Sequence, residues 1–225
     1  MAPRRSGGFE GGRVLAASAA ALGATAALVL AIQGTGEPGL RALIRTTART
    51  SLPLFLAAFL ASSLRRLWRR PITAWLLRNR RQLGLSFAVS HAIHLAAIVA
   101  LATRFPSSFG TTNAVTRYGG GLGFVAVAVL AATSNDAAVR RLGASRWRTL
   151  HRIGVWYLFG IFALNYGPAA FYDPWYAPAS AAIAAAIAIR IAAWRRAGAR
   201  SVTTDGPFAR SGSRASPGGS PPDGS

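Results

Sequence analysis

Long apolar stretches separated by short, arginine-rich intervals set the pattern of this chain. Six stretches stand out, at about 14–33, 46–64, 83–102, 118–133, 150–166 and 176–194. Each approaches or reaches the ~20 residues that a helix needs to cross a bilayer core. A spanning segment must satisfy its backbone internally, so the pattern predicts an all-α fold: an integral membrane six-helix bundle. Pro53 falls in the first turns of the second stretch, where a missing N–H is tolerated. The first stretch follows a basic leader as a signal peptide would. It lacks a clean small-x-small cleavage site, however, and more spans follow, so it reads as a retained helix.

The flanking regions complete the organisation. Residues 1–13 form an N-terminal segment, 14–196 the transmembrane domain, and 197–225 a disordered C-terminal tail rich in Ser, Gly and Pro. Between the second and third spans, Leu64 to Leu77 carries Trp68 and Trp75 among arginines, the pattern of an interfacial helix.

Charge distribution orients the bundle. The chain is 52% hydrophobic and 14% charged with a formal net charge of +20, and all 26 of its basic residues are arginine. The arginines punctuate apolar runs instead of clustering on a soluble surface, which argues against a nucleic-acid partner. One set of intervals holds Arg4, Arg5 and Arg13, seven arginines from Arg65 to Arg81, Arg140 to Arg148, and Arg195 to Arg200. The alternate set holds Arg41, Arg45 and Arg49, then Arg104 and Arg117, then none. This asymmetry predicts six spans with both termini cytoplasmic.

Several chemistries are excluded by residue type. No cysteine is present and the single methionine is Met1, which removes disulfides, iron–sulfur clusters and thiolate or thioether ligation. The six acidic residues are scattered, so neither paired-carboxylate catalysis nor a mid-span proton or cation relay is supported. Gly119 to Gly123 opens a span, where close helix packing is the default explanation. No segment outside the spans is long enough for a flavin or nicotinamide domain.

The histidines carry the remaining chemistry. His91 and His94 lie one turn apart in the third span, and His151 opens the fifth. Imidazole in an apolar span is costly and asks for a partner. Gly84, Phe87, His91, His94 and Ile98 share one helix face, and His151, Gly154, Leu158, Ile161 and Asn165 share another. These two faces are expected to meet, with Asn165 level with His94 and His151 near the inner surface. Three readings stand open on the residues alone: hydrogen bonding within the bundle, haem ligation, or a non-haem metal. The last lacks a carboxylate or thiolate to complete a shell.

The run Arg81-Gln82-Leu83-Gly84-Leu85 followed by His94, with Arg141-Leu142-Gly143 and Trp147-Arg148-Thr149-Leu150-His151-Arg152, resembles the ferric-reductase-like transmembrane domain family. That family includes ferric reductases, NADPH oxidases and the haem-bearing membrane subunit of a periplasmic methionine-sulfoxide reductase system. The resemblance covers roughly Thr46 to Trp194. It implies a six-helix bundle passing electrons across the membrane through haem b, with iron held by His94 and His151. Leu164 and Asn165 stand where the family carries a second histidine of the fifth helix, and His91 is an additional candidate ligand. The expectation is therefore a haem-b electron-transfer subunit working with the lipid bilayer and with separate electron donor and acceptor proteins. The alternative is a non-catalytic membrane scaffold or assembly partner that retains the fold without complete haem ligation.

Overall fold

The computed structural model describes residues 10–109 and 115–204. Among the described residues nine α-helices follow in order: α1 (Gly12–Gln33), α2 (Glu37–Leu67), α3 (Pro71–Arg78), α4 (Arg80–Arg104), the single turn α5 (Pro106–Phe109), α6 (Gly120–Ala132), α7 (Asp136–Leu142), α8 (Ala144–Tyr166) and α9 (Ala177–Thr204). A π-helical turn, Val115–Gly119, leads into α6, and two 3₁₀ turns join α8 to α9. No strand occurs among the described residues. Helices α1, α2, α4, α8 and the apolar part of α9 are long enough to cross a membrane. The α6–α7 pair, bent by 98° at a short break, makes a sixth crossing if counted as one span. The chain is thus an all-helical, multi-pass membrane protein.

Helix α2 differs most from its sequence expectation. It begins at Glu37, not near Thr46, because Pro38 suits a first helical turn and Glu37 lies at the positive end of the helix dipole. Glu37 accepts a 2.8 Å hydrogen bond from Arg41 one turn on. Arg41, Arg45 and Arg49 consequently ride on the helix and not in a loop. At helical rise its 31 residues extend about 46 Å, against a hydrocarbon core of about 30 Å. Pro53 sits in the interior of α2, not in its first turns.

Polar contacts fix both ends of the bundle. At one end Glu10 pairs with Arg78 at 2.7 Å, and the Gly11 N–H donates to Asn79 Oδ1 at 2.8 Å. Here too Arg81 meets Asp136 at 3.2 Å, and Arg196 of α9 donates to the Leu67 carbonyl at 2.8 Å. The start of α1 and the polar part of α9 therefore share the arginine-rich end. At the opposite end Arg104 donates to the Thr35 carbonyl at 3.0 Å. The expected interfacial segment resolves into the last turn of α2 and the eight-residue α3. Helix α9 runs on to Thr204, so 197–204 is helical, and the rest of the expected tail lies outside the described residues.

Two kinds of packing hold the helices together. Aromatic rings from α2, α4 and α8 interlock in the core. Phe55 lies 5.3 Å from Phe87 and 5.1 Å from Phe162, and Phe59 stacks on Phe159 at 4.8 Å. Such pairs add to the dispersion gain that drives association in lipid. Along α2 and α4, small buried residues allow close approach, with Ser51 and Ser90 hydroxyls bonded at 2.8 Å. Thr47 and Ser86 continue this seam, fully or nearly fully buried.

The α1–α2 corner leaves no room for a side chain at Gly39, whose Cβ would strike the Gly34 carbonyl. Gly39→Ala is expected to lower the melting temperature of the detergent-solubilised protein by several degrees, equivalent to about 1–3 kcal/mol of overpacking. Gly84→Ala, made where a Cβ meets nothing within 4 Å, is expected to leave it unchanged or slightly raised. Equal melting temperatures for the two variants would contradict the corner geometry.

Candidate functional site

The two histidines of α4 occupy different environments. The His91 ring lies 4.4 Å from Phe87, 5.6 Å from Phe124 of α6 and 6.1 Å from Phe162 of α8. Its Nδ1 is buried and has no hydrogen-bond partner. Buried polar atoms are almost always satisfied, so this nitrogen marks either a cost or an absent partner. His94 faces α2, with its Nδ1 2.8 Å from Thr47 Oγ1.

The tautomer of His94 follows from the donors around it. Thr47 has one hydroxyl proton, and the Leu43 and Ile44 carbonyls lie 2.7 and 3.1 Å from its oxygen. That proton goes to a carbonyl, so Thr47 Oγ1 accepts from His94 Nδ1–H. The Nε2 lone pair of His94 is left as an electron-pair donor. Metal-bound histidines are commonly oriented by a hydrogen bond of this kind.

At His151 the same logic gives the opposite result. Its Nε2 lies 3.0 Å from Thr133 Oγ1, whose proton goes to the Val129 carbonyl at 2.7 Å. His151 Nε2 is therefore the protonated nitrogen and is committed to Thr133. Trp147 lies against the ring at 4.2 Å, tilted by 30°, and donates its indole N–H to the Thr133 carbonyl at 2.8 Å.

The three histidines are not drawn into one set. Among the described residues no group of three His, Cys, Asp or Glu side chains could hold a metal ion. His151 borders a cavity at the arginine-rich end, while His91 and His94 lie farther along α4 and do not line it. The two helix faces meet across this cavity, which Gly84 and Phe87 of α4 line together with His151 and Leu158 of α8, but Asn165 is not brought to His94. Gly154 and Leu158 of α8 pack on α6, where a Cβ at Gly154 would come within 3.0 Å of Leu130. The face of α8 turned to α2 and α4 carries Phe159 and Phe162. Asn165 is exposed and donates to its own helix at the Ile161 carbonyl, 2.8 Å away, and Leu164 is exposed as well. An amide that bonds its own backbone needs no partner on α4.

The cavity and one of its residues were not legible in the sequence. It measures about 620 Å³ and lies among α2, α3, α4, α6, α7, α8 and α9. Arg190 of α9 reaches it from within an apolar run, its guanidinium 4.5 Å from the Phe59 ring centre and 4.9 Å from that of Trp156. A lone cation between Ile189 and Ile191 was the available signal, since intramembrane arginines rarely face lipid.

No family model and no solved structure matches this chain. The chain is 36% identical over 86 residues to a protein of Azospira oryzae named protein-methionine-sulfoxide reductase heme-binding subunit MsrQ. That similarity covers 35% of this chain and 35% of the relative, so the chain is similar to about a third of a haem-binding membrane subunit's length.

Proposed function

We propose that this chain is a haem-b-binding membrane subunit of ferric-reductase-like type, passing electrons across the bacterial inner membrane between separate donor and acceptor proteins. The observation that carries this reading is the histidine pair of α4. Thr47 holds His94 with its Nε2 free to donate, and His91 has a buried Nδ1 that no protein group satisfies. With no cysteine and only Met1, imidazole is the strongest iron donor this chain offers. The relative named as a heme-binding subunit supports the same reading.

The residues would hold a haem through one imidazole better than through a pair from facing helices. His94 is the candidate ligand and His91 its neighbour one turn away. His151 has its Nε2 engaged with Thr133, and Asn165 is turned outward. A bound haem b would supply reversible one-electron chemistry. The protein's own contribution is to orient His94 through Thr47 and to exclude water around the pair with Phe87, Phe124 and Phe162. The second reading, a scaffold that retains the fold without haem, draws support from the outward Asn165 and the occupied His151.

Spectra of purified protein, oxidised and dithionite-reduced, test the proposal. Wild type made with ample haem is expected to give a reducible b-type spectrum, high-spin and responsive to carbon monoxide. His94→Ala should remove most of that absorbance, and Thr47→Val should weaken haem retention by about 10–100-fold through the lost orienting bond. A blank Soret region from folded wild type would favour the scaffold.

The proposed topology is six spans with both termini cytoplasmic, supported by the shared arginine-rich end of α1 and α9. Reporter fusions after Arg70 and Arg146 are expected to read cytoplasmic, and one near Tyr172 periplasmic. A cytoplasmic reading at Tyr172 would reject this arrangement.

A further inference from the structure

The cavity at the arginine-rich end has a composition that the histidine chemistry does not use. Six arginines line it: Arg78, Arg80, Arg81, Arg148, Arg152 and Arg190. Asp136 is the one carboxylate among its lining residues. Arg78 is paired with Glu10 and Arg81 with Asp136. Among the described residues Arg80, Arg148, Arg152 and Arg190 form no ion pair. Four guanidinium groups converging on one space repel one another unless an anion lies between them.

The depth of this space identifies the anion's origin. Arg80 and Arg81 open α4, while Arg148 and Arg152 lie in the first turns of α8. These positions lie at the arginine-rich ends of two candidate spans, where positively charged side chains of membrane helices meet lipid headgroups. Arg190 lies five residues before Arg195, roughly 7–8 Å deeper at helical rise. The inner wall is apolar and aromatic, with Phe59, Val127, Leu130 and Trp156. Charge at the rim and hydrocarbon at the wall match an amphiphile, not a free ion.

We infer that this cavity is a binding site for the headgroup of an anionic phospholipid drawn from the adjacent leaflet. The guanidinium fork suits phosphate bidentately, and the set contains no lysine. Basic pockets between membrane helices are an established physical solution for such headgroups. Two phosphodiesters engage four arginines that lack ion pairs better than one, so a cardiolipin-class lipid binds more tightly than phosphatidylglycerol. Gly84 borders the cavity with nothing within 4 Å of its would-be Cβ, which leaves the α4 wall open to the lipid. His151 lines the same space but has its Nε2 on Thr133, so the cavity offers no free Nε2 to iron.

The test uses the full chain, delipidated in detergent, with native mass spectrometry and thermal melting as readouts. Cardiolipin, phosphatidylglycerol, phosphatidylcholine and sodium phosphate are titrated separately. Cardiolipin is expected to remain bound at one per chain and to raise the melting temperature. Phosphatidylcholine and sodium phosphate are expected to do neither. The double variant Arg148→Gln/Arg152→Gln should bind cardiolipin at least tenfold more weakly. Gly84→Leu, which leaves every charge in place, should weaken it by filling the cavity, and it serves as the independent variant if the arginine pair is needed for folding. Equal retention of phosphatidylcholine, an equal effect of sodium phosphate, or unchanged cardiolipin binding in Gly84→Leu would overturn the inference. Displacement of cardiolipin by added haem, one for one, would also overturn it by assigning the arginines to haem carboxylates.

Discussion

The close seam between α2 and α4 is the contact on which the rest of the bundle depends. Lipid gives helices no hydrophobic reason to associate, so they must approach closely and exchange hydrogen bonds. Ser51, Ser86 and Ser90 supply the small surfaces, and the Ser51–Ser90 bond crosses between the helices. The same seam delivers Thr47 to His94. Packing and candidate chemistry thus share one set of residues, and moving α2 by a fraction of a turn would lose both. Farther along α2, Phe55 touches both Phe87 of α4 and Phe162 of α8, and Phe59 stacks on Phe159, carrying the contact on to α8.

The apolar runs, the arginine punctuation and the short helix after α2 were readable because they depend on composition over many residues. Which way each helix faces was not. In a soluble protein a polar face marks the outside, but a membrane helix is apolar all round and its face towards lipid resembles its face towards protein. The stripe from His151 to Asn165 shows the difficulty. Its spacing was correctly read as one face of a helix, yet that face packs on α6 and ends at an outward amide. The α2 boundary was missed for a related reason. Arg41, Arg45 and Arg49 looked like a loop, although their four-residue spacing also suits a helix rising out of the bilayer.

Among the histidines, sequence position and local chemistry give different rankings. The resemblance treats His94 and His151 alike as iron ligands, and neither motif reveals what each ring nitrogen touches. Two threonines decide it. Thr47 bonds Nδ1 of His94 and Thr133 bonds Nε2 of His151, so near-identical partners leave opposite nitrogens free. His91, which the resemblance leaves as an extra, is the one with a buried nitrogen that lacks a partner.

Helix α1 has a further consequence. Val14 is its only buried residue, and it is the most apolar of the long helices. It lies against α4 with little burial, and its polar ties to the bundle are at its ends, through Glu10 and Gly11 at one and the Thr35 carbonyl at the other. A helix of this kind is stable in lipid before any neighbour exists. Helix α2, with three arginines in its first half and a proline in its interior, is not self-sufficient in the same way. During synthesis the first helix can settle while the second waits for α4, so the order in which the chain leaves the ribosome is matched to the order in which its parts become able to stand alone.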